Sequence, residues 1–180
     1  MSDLWPGLNG PAIRYISEAP SEAWRRGVRQ LVLLGSTGSI GGNTLAAIRS
    51  RRRECVVLGL SCARNIKTLA EQAQEFRPPY LAVLDEASAA GLRKLLPTGY
   101  SPEILVGSEG YARLAALPEA DTVLSAQVGA AGLAGTLAAA LAGKVICLAN
   151  KESLVLAGDM LRQVCARTHA SILPVDSEHN

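Results

Sequence analysis

The chain has 180 residues, 48% hydrophobic and 19% charged, with 18 basic and 16 acidic side chains and a net charge of +2. That length suits one domain able to bury roughly 70% of its unfolded surface. The composition excludes intrinsic disorder and a polyanion-binding surface, so no nucleic acid partner is expected, and no apolar run reaches the roughly 18 residues that would span a membrane.

Residues 1–29 read as an N-terminal leader. Trp5, Pro6, Pro11, Pro20 and Trp24 are mixed there with Asp3, Glu18 and Glu22. Arg25-Arg26 leads only into Leu31 to Leu34, too short for a signal-peptide core, and the acidic residues argue against an organelle transit peptide. The leader is expected to pack elsewhere as an extension.

From Gln30 to Val175 short apolar, β-branched runs alternate with longer helical patterns. Strands are expected near Leu31 to Leu34, Cys55 to Leu60, Tyr80 to Leu84, Glu103 to Val106, Thr122 to Leu124, Val145 to Leu148 and Ser171 to Leu173. Helical spacing is clearest in Ile66, Leu69, Ala70, Ala73 and Phe76, and in Leu133, Leu137, Ala138 and Leu141. Strand and helix in alternation imply right-handed crossovers and a Rossmann-like, doubly wound, mostly parallel α/β sheet, its ligand crevice at the carboxyl ends of the strands.

Three segments at such ends carry the chemistry. After the first strand comes Gly35-Ser36-Thr37-Gly38-Ser39-Ile40-Gly41. Its glycines allow a sharp turn and close approach to an anion, and the following helix start supplies free N–H groups and a positive dipole end. The spacing is G-x-x-G-x-x-G rather than the commoner dinucleotide pattern, so an ordinary glycine-rich turn is the alternative. After the second strand comes Ser61-Cys62-Ala63-Arg64-Asn65, with no carboxylate to bind a ribose diol. Arg64 can pair with a 2′-phosphate, which favours NADPH over NADH; the other reading is a solvated arginine that opens a helix. Further on lie Ala149-Asn150-Lys151-Glu152-Ser153 and Pro174-Val175-Asp176-Ser177-Glu178-His179-Asn180. Asp176 and Glu178 would share one face of an extended segment and offer hard oxygen ligands to a divalent cation, or else belong to a solvated loop; Lys151 alone could be a surface lysine. The four cysteines, Cys55, Cys62, Cys147 and Cys165, form no C-x-x-C pair and read as reduced thiols of a cytoplasmic protein.

Gly-Ser-Thr-Gly-Ser-Ile-Gly, Val128-Gly129-Ala130-Ala131-Gly132-Leu133, Ala-Asn-Lys-Glu-Ser-Leu-Val and Pro-Val-Asp-Ser-Glu-His-Asn occur in that order. In this the chain closely resembles the 1-deoxy-D-xylulose 5-phosphate reductoisomerases of the methylerythritol phosphate route to isoprenoids, from about Gln30 to Asn180. The resemblance implies that Thr37, Gly38, Ser39 and Ile40 hold the NADPH diphosphate region and that Ala63, Arg64 and Asn65 lie at the adenosine 2′-phosphate, Ala63 standing where the family often has glycine. It implies cofactor contacts at Asn150 and Glu152, and a catalytic, substrate-contacting role for Lys151. Substrate contacts at Ser177 and Glu178 and metal ligation by Asp176 and Glu178 follow in the same way. The implied reaction isomerises and reduces 1-deoxy-D-xylulose 5-phosphate to 2-C-methyl-D-erythritol 4-phosphate, with NADPH and Mg²⁺ or Mn²⁺, in a homodimer. Residues 176–180 would begin a metal- and substrate-binding catalytic domain, and the 180-residue chain alone is expected to turn over little or not at all. Two alternatives stay open: a non-catalytic NADPH-binding module, and another oxidoreductase of the same fold with a catalytic cysteine, which Cys147 inside an apolar strand fits poorly.

Overall fold

A computed structural model describes residues 16–127, 130–149 and 151–175. In chain order its elements are α1 (Glu22–Arg26), β1 (Arg29–Leu34), α2 (Ser39–Ser50), β2 (Cys55–Ser61), α3 (Ile66–Phe76), β3 (Tyr80–Val83), α4 (Glu86–Leu95), β4 (Glu103–Val106), α5 (Gly107–Ala115), β5 (Thr122–Ser125), α6 (Ala130–Leu141), β6 (Val145–Leu148), α7 (Lys151–Thr168) and β7 (Ser171–Pro174). The strands form one sheet in the order β4-β3-β2-β1-β5-β6-β7, and every pairing is parallel. The expected doubly wound sheet is therefore present.

Strand alternation explains why both faces are covered. Along β1, Val32 and Leu34 join the core formed with Tyr111 and Leu114 of α5, Ala139 and Ala140 of α6 and Leu161 of α7. Leu31 and Leu33 point the other way, into a core with Leu45 and Ile48 of α2, Leu69 and Ala73 of α3 and Leu92 of α4. A strand buried on both faces must be apolar throughout, as Leu31 to Leu34 is, and each such side chain contributes about 1.5–3 kcal/mol relative to exposure. Helix α3 shows how local signals set its limits. Asn65 caps its start by accepting the Thr68 N–H at 3.2 Å, and Arg77 ends it in a left-handed conformation (φ 46°) before Pro78-Pro79.

The described part of the leader packs on this same sheet. Ile16 lies against the core on the α5–α7 side. Ser17 Oγ accepts the Ile172 N–H of edge strand β7 at 2.7 Å, and the Trp24 indole N–H donates to Thr122 Oγ1 of β5 at 2.8 Å. The Arg29 guanidinium sits 4.3 Å from the Trp24 ring centre. Residues 16–28 thus run beneath the amino ends of β7, β5 and β1, opposite the end where the glycine turn lies. Residues 1–15 are outside the described part.

Candidate functional site

Strands β1 and β5 are neighbours, but the chain leaves them in opposite directions, towards β2 through α2 and towards β6 through α6 on the other face. At such a switch point the loops diverge and leave a crevice beyond the carboxyl ends of the strands. The turn after β1 occupies that place.

Two glycines shape the turn. Gly35 has φ +84°, and a Cβ there would lie 2.9 Å from the Ala126 carbonyl oxygen at the end of β5. Gly41, inside α2, lies so close beneath the turn that a Cβ would come within 2.5 Å of the Gly35 carbonyl oxygen and 2.6 Å of Ser36 Cα. Glycine at both positions brings strand end and helix start together. The cap of α2 is Gly38, which has no side chain to accept a helix N–H, and no acidic residue lies in the first turn. The leading N–H groups of α2 therefore face outward uncapped, with the positive end of the helix dipole behind them and no carboxylate competing. Thr37 and Ile40 are half-buried beside them; Gly38 and Ser39 are exposed.

Behind the turn is a buried polar network. Ser36 donates its N–H to the Ser61 carbonyl at 2.8 Å and its hydroxyl to Gln72 Oε1 at 2.7 Å, while Gln72 Nε2 donates to the Ser36 carbonyl at 2.9 Å. Ser61 Oγ accepts the Gly35 N–H at 3.0 Å and faces Gln127 Nε2 at 3.5 Å. Ser125, at the end of β5, is paired with Thr136 of α6 at 2.7 Å, and Thr136 in turn donates to the Gly132 carbonyl. Ser61, Gln72 and Gln127 stand outside the expected set. Of these only Gln72 leaves a trace in the sequence, as a polar residue on the apolar stripe of Leu69, Ala70 and Ala73.

Because Ser61 ends β2, the network brings the β2–α3 connection alongside the turn. Ala63, Arg64 and Asn65 are all exposed there. Asn65 spends its Oδ1 on the cap of α3, which leaves the two Nδ2 hydrogens to offer a ligand. Arg64 also faces the carboxylate of Asp85. That group is held below the usual range first by the backbone N–H and side chain of Ser88, and then by the Arg64 guanidinium. The connection is anchored from below, since Tyr111 of α5 donates its buried hydroxyl to the Cys62 carbonyl at 2.8 Å and Cys62 N–H bonds the Ala82 carbonyl.

Asn150, Asp176, Ser177 and Glu178 lie outside the described residues, as do the side chains of Lys151 and Glu152, although Lys151 opens α7. Among the described residues no group of three His, Cys, Asp or Glu side chains could hold a metal ion. Cys147 sits mid-strand in β6 between Leu124 and Leu173, and burial pushes its thiol up to about 11. A thiol so hard to ionise is a poor nucleophile, which disfavours the cysteine-dependent oxidoreductase.

The family model described as 1-deoxy-D-xylulose 5-phosphate reductoisomerase matches residues 31–158. The chain is 61% identical over 169 residues to the enzyme of that name from Nitratidesulfovibrio vulgaris, covering 93% of this chain and 41% of that protein. It is 59% identical to the one from Oleidesulfovibrio alaskensis, with 92% and 41% covered. It also resembles the crystal structure of the Zymomonas mobilis reductoisomerase in complex with NADPH (TM-score 0.78, 38% identity, 84% of this chain and 39% of that one). A DOX-P reductoisomerase in complex with NADPH, fosmidomycin and magnesium is similar as well (TM-score 0.79, 44% identity, 84% and 37%). The chain thus spans about two-fifths of the length of the relatives it matches.

Proposed function

The chain belongs to the 1-deoxy-D-xylulose 5-phosphate reductoisomerase family, and from that premise we propose that it holds NADPH for the conversion of 1-deoxy-D-xylulose 5-phosphate to 2-C-methyl-D-erythritol 4-phosphate. The observation that carries this reading is the uncapped amino end of α2 under a glycine turn at the switch point, with Arg64 exposed just beyond the neighbouring strand.

In this reading Thr37, Gly38, Ser39 and Ile40 surround the diphosphate, whose charge the outward N–H groups and helix dipole stabilise. Arg64 forks onto the 2′-phosphate, the Asn65 carboxamide hydrogens add to it, and Ala63 contributes backbone beside it. The residues present fit the cofactor, since the turn is free of carboxylates and Arg64 offers an exposed cation just after β2. Asn150 and Glu152 extend the cofactor contacts. Lys151 supplies positive charge near the substrate oxygens, Ser177 and Glu178 contact the substrate, and Asp176 with Glu178 offers carboxylate oxygens to Mg²⁺ or Mn²⁺. When bound, NADPH supplies hydride and the cation supplies Lewis-acid stabilisation of an oxyanion. Homodimerisation belongs to the same reading, as does a cytoplasmic setting, which the four free cysteines favour. Among the described residues no helix is long and apolar enough to cross a membrane.

Calorimetric titration with NADPH and NADH, repeated for Arg64→Ala, tests the proposal. A charge-assisted clamp of this kind predicts NADPH preferred by about 10- to 100-fold, with the preference gone in the variant. Equal affinities for the two cofactors, or a preference that survives removal of Arg64, would contradict it.

A further inference from the structure

Gln72 occupies a core position that the amphipathic pattern of α3 would give to an apolar residue. It is 9% exposed, among Leu69, Ala70 and Ala73. A carboxamide there is tolerated only if both of its ends are bonded. Both go to a single residue, Ser36, 36 positions earlier in the chain.

The consequence lies in which backbone groups of the turn remain for a ligand. Ser36 has its N–H, carbonyl and hydroxyl all drawn inward, and Gly35 N–H is taken by Ser61. Gly38 N–H closes on the Gly35 carbonyl, and Gly42 N–H on the Gly38 carbonyl. The donors left over are those of Thr37 and of the first turn of α2, Ser39 to Gly41, at the amino end of the helix. Resting on the reading of this turn as a diphosphate cradle, we propose that Gln72 is a positioning residue for cofactor binding: its buried carboxamide fixes the Ser36 peptide so that the next N–H groups stand pre-aimed at the anion. It touches no ligand and acts through Ser36. Arg64 and Asn65 have separate supports, in the Ile66 N–H to Arg64 carbonyl bond, the Asn65 cap, and the Cys62 bonds to Ala82 and Tyr111. The 2′-phosphate clamp therefore keeps these local supports when the Gln72–Ser36 contact is lost.

That separation gives a readout a merely structural residue would not move. In the 180-residue chain, Gln72→Met is expected to weaken NADPH binding about tenfold, because a cradle must then be ordered on binding, while adenosine 2′-phosphate, which lacks the diphosphate, loses less than about twofold. Ser36→Ala removes the hydroxyl bonds to Gln72 and to the Ser61 carbonyl but leaves Gln72 bonded to the Ser36 carbonyl; it is expected to lose about threefold for NADPH, and it keeps the test decisive if Gln72→Met does not fold. Melting curves for each protein set the titration temperature well below unfolding. Equal losses for both ligands, or no loss in either variant, would overturn the role of Gln72 and leave the cofactor reading standing. Failure of the unmodified chain to bind NADPH would overturn both.

Discussion

Replacing two adjacent glycines of α2 by alanine is expected to have opposite effects. In an unobstructed helix, Gly→Ala stabilises by about 1 kcal/mol through reduced backbone freedom of the unfolded chain. Gly42 is unobstructed, since a Cβ there meets nothing within 4 Å, so Gly42→Ala should gain about 0.5–1 kcal/mol. At Gly41 the same methyl would stand 2.5 Å from the Gly35 carbonyl oxygen, 2.6 Å from Ser36 Cα and 2.7 Å from Ser36 carbonyl carbon. These are backbone atoms of a turn tied down by Ser61 and Gln72, so no side chain can swing aside. Overpacking of that kind costs about 1–3 kcal/mol or more, which outweighs the propensity gain. The two variants should therefore differ by about 2–3 kcal/mol in urea unfolding, or very roughly 4–12 °C in melting temperature for a domain of this size. Because the clash pushes the start of α2 off the turn, Gly41→Ala should also bind NADPH more weakly than Gly42→Ala. Equal stability of the two would refute the close-packing account of the third glycine.

Two further outcomes can be checked on the same protein. Burial raises the Cys62 thiol from 9.0 to about 11, so the folded state keeps its proton where the unfolded chain would lose it. Its contribution is complete below pH 9 and disappears as the pH rises towards 11; the difference in unfolding free energy between the unmodified protein and Cys62→Ala should shrink by about 2–3 kcal/mol across that window, and a pH-independent difference would contradict the burial. Trp24→Phe removes the indole donor to Thr122 and should cost about 1 kcal/mol, with earlier proteolytic cleavage within residues 16–28; unchanged stability and cleavage would mean that segment is not strapped to the sheet.

The strands were legible because a parallel sheet buried on both faces demands uninterrupted apolar runs, and those runs coincide with the observed strands to within a residue or two. Asn65 and Pro78-Pro79 likewise mark the ends of α3 in the sequence itself. Helices α4 and α5 are less distinct there, since Glu86–Leu95 and Gly107–Ala115 are short and bury their faces through alanines and glycines as well as leucines. No local signal reveals that β4 extends the sheet beyond β3 before the chain crosses to β5, because neighbour order is set by crossover packing rather than by any one segment. The glycine turn and the arginine after β2 were visible as residue types. Their common support was not: Ser36, Ser61 and Gln72 are brought together by hydrogen bonds between residues 25 and 36 positions apart. The leader offered no periodicity because only α1, a single five-residue helix, forms in its described part.

Diphosphate binding at the turn after β1 is tested most directly by following backbone amide resonances of the 180-residue chain as NADPH is added. The largest shifts are expected at Thr37, Ser39, Ile40 and Gly41, with a second group at Ala63 to Asn65, and little change at Trp24, Arg29 or Thr122 under the opposite end of the sheet. Shifts concentrated at that amino end, with the turn after β1 unmoved, would contradict it.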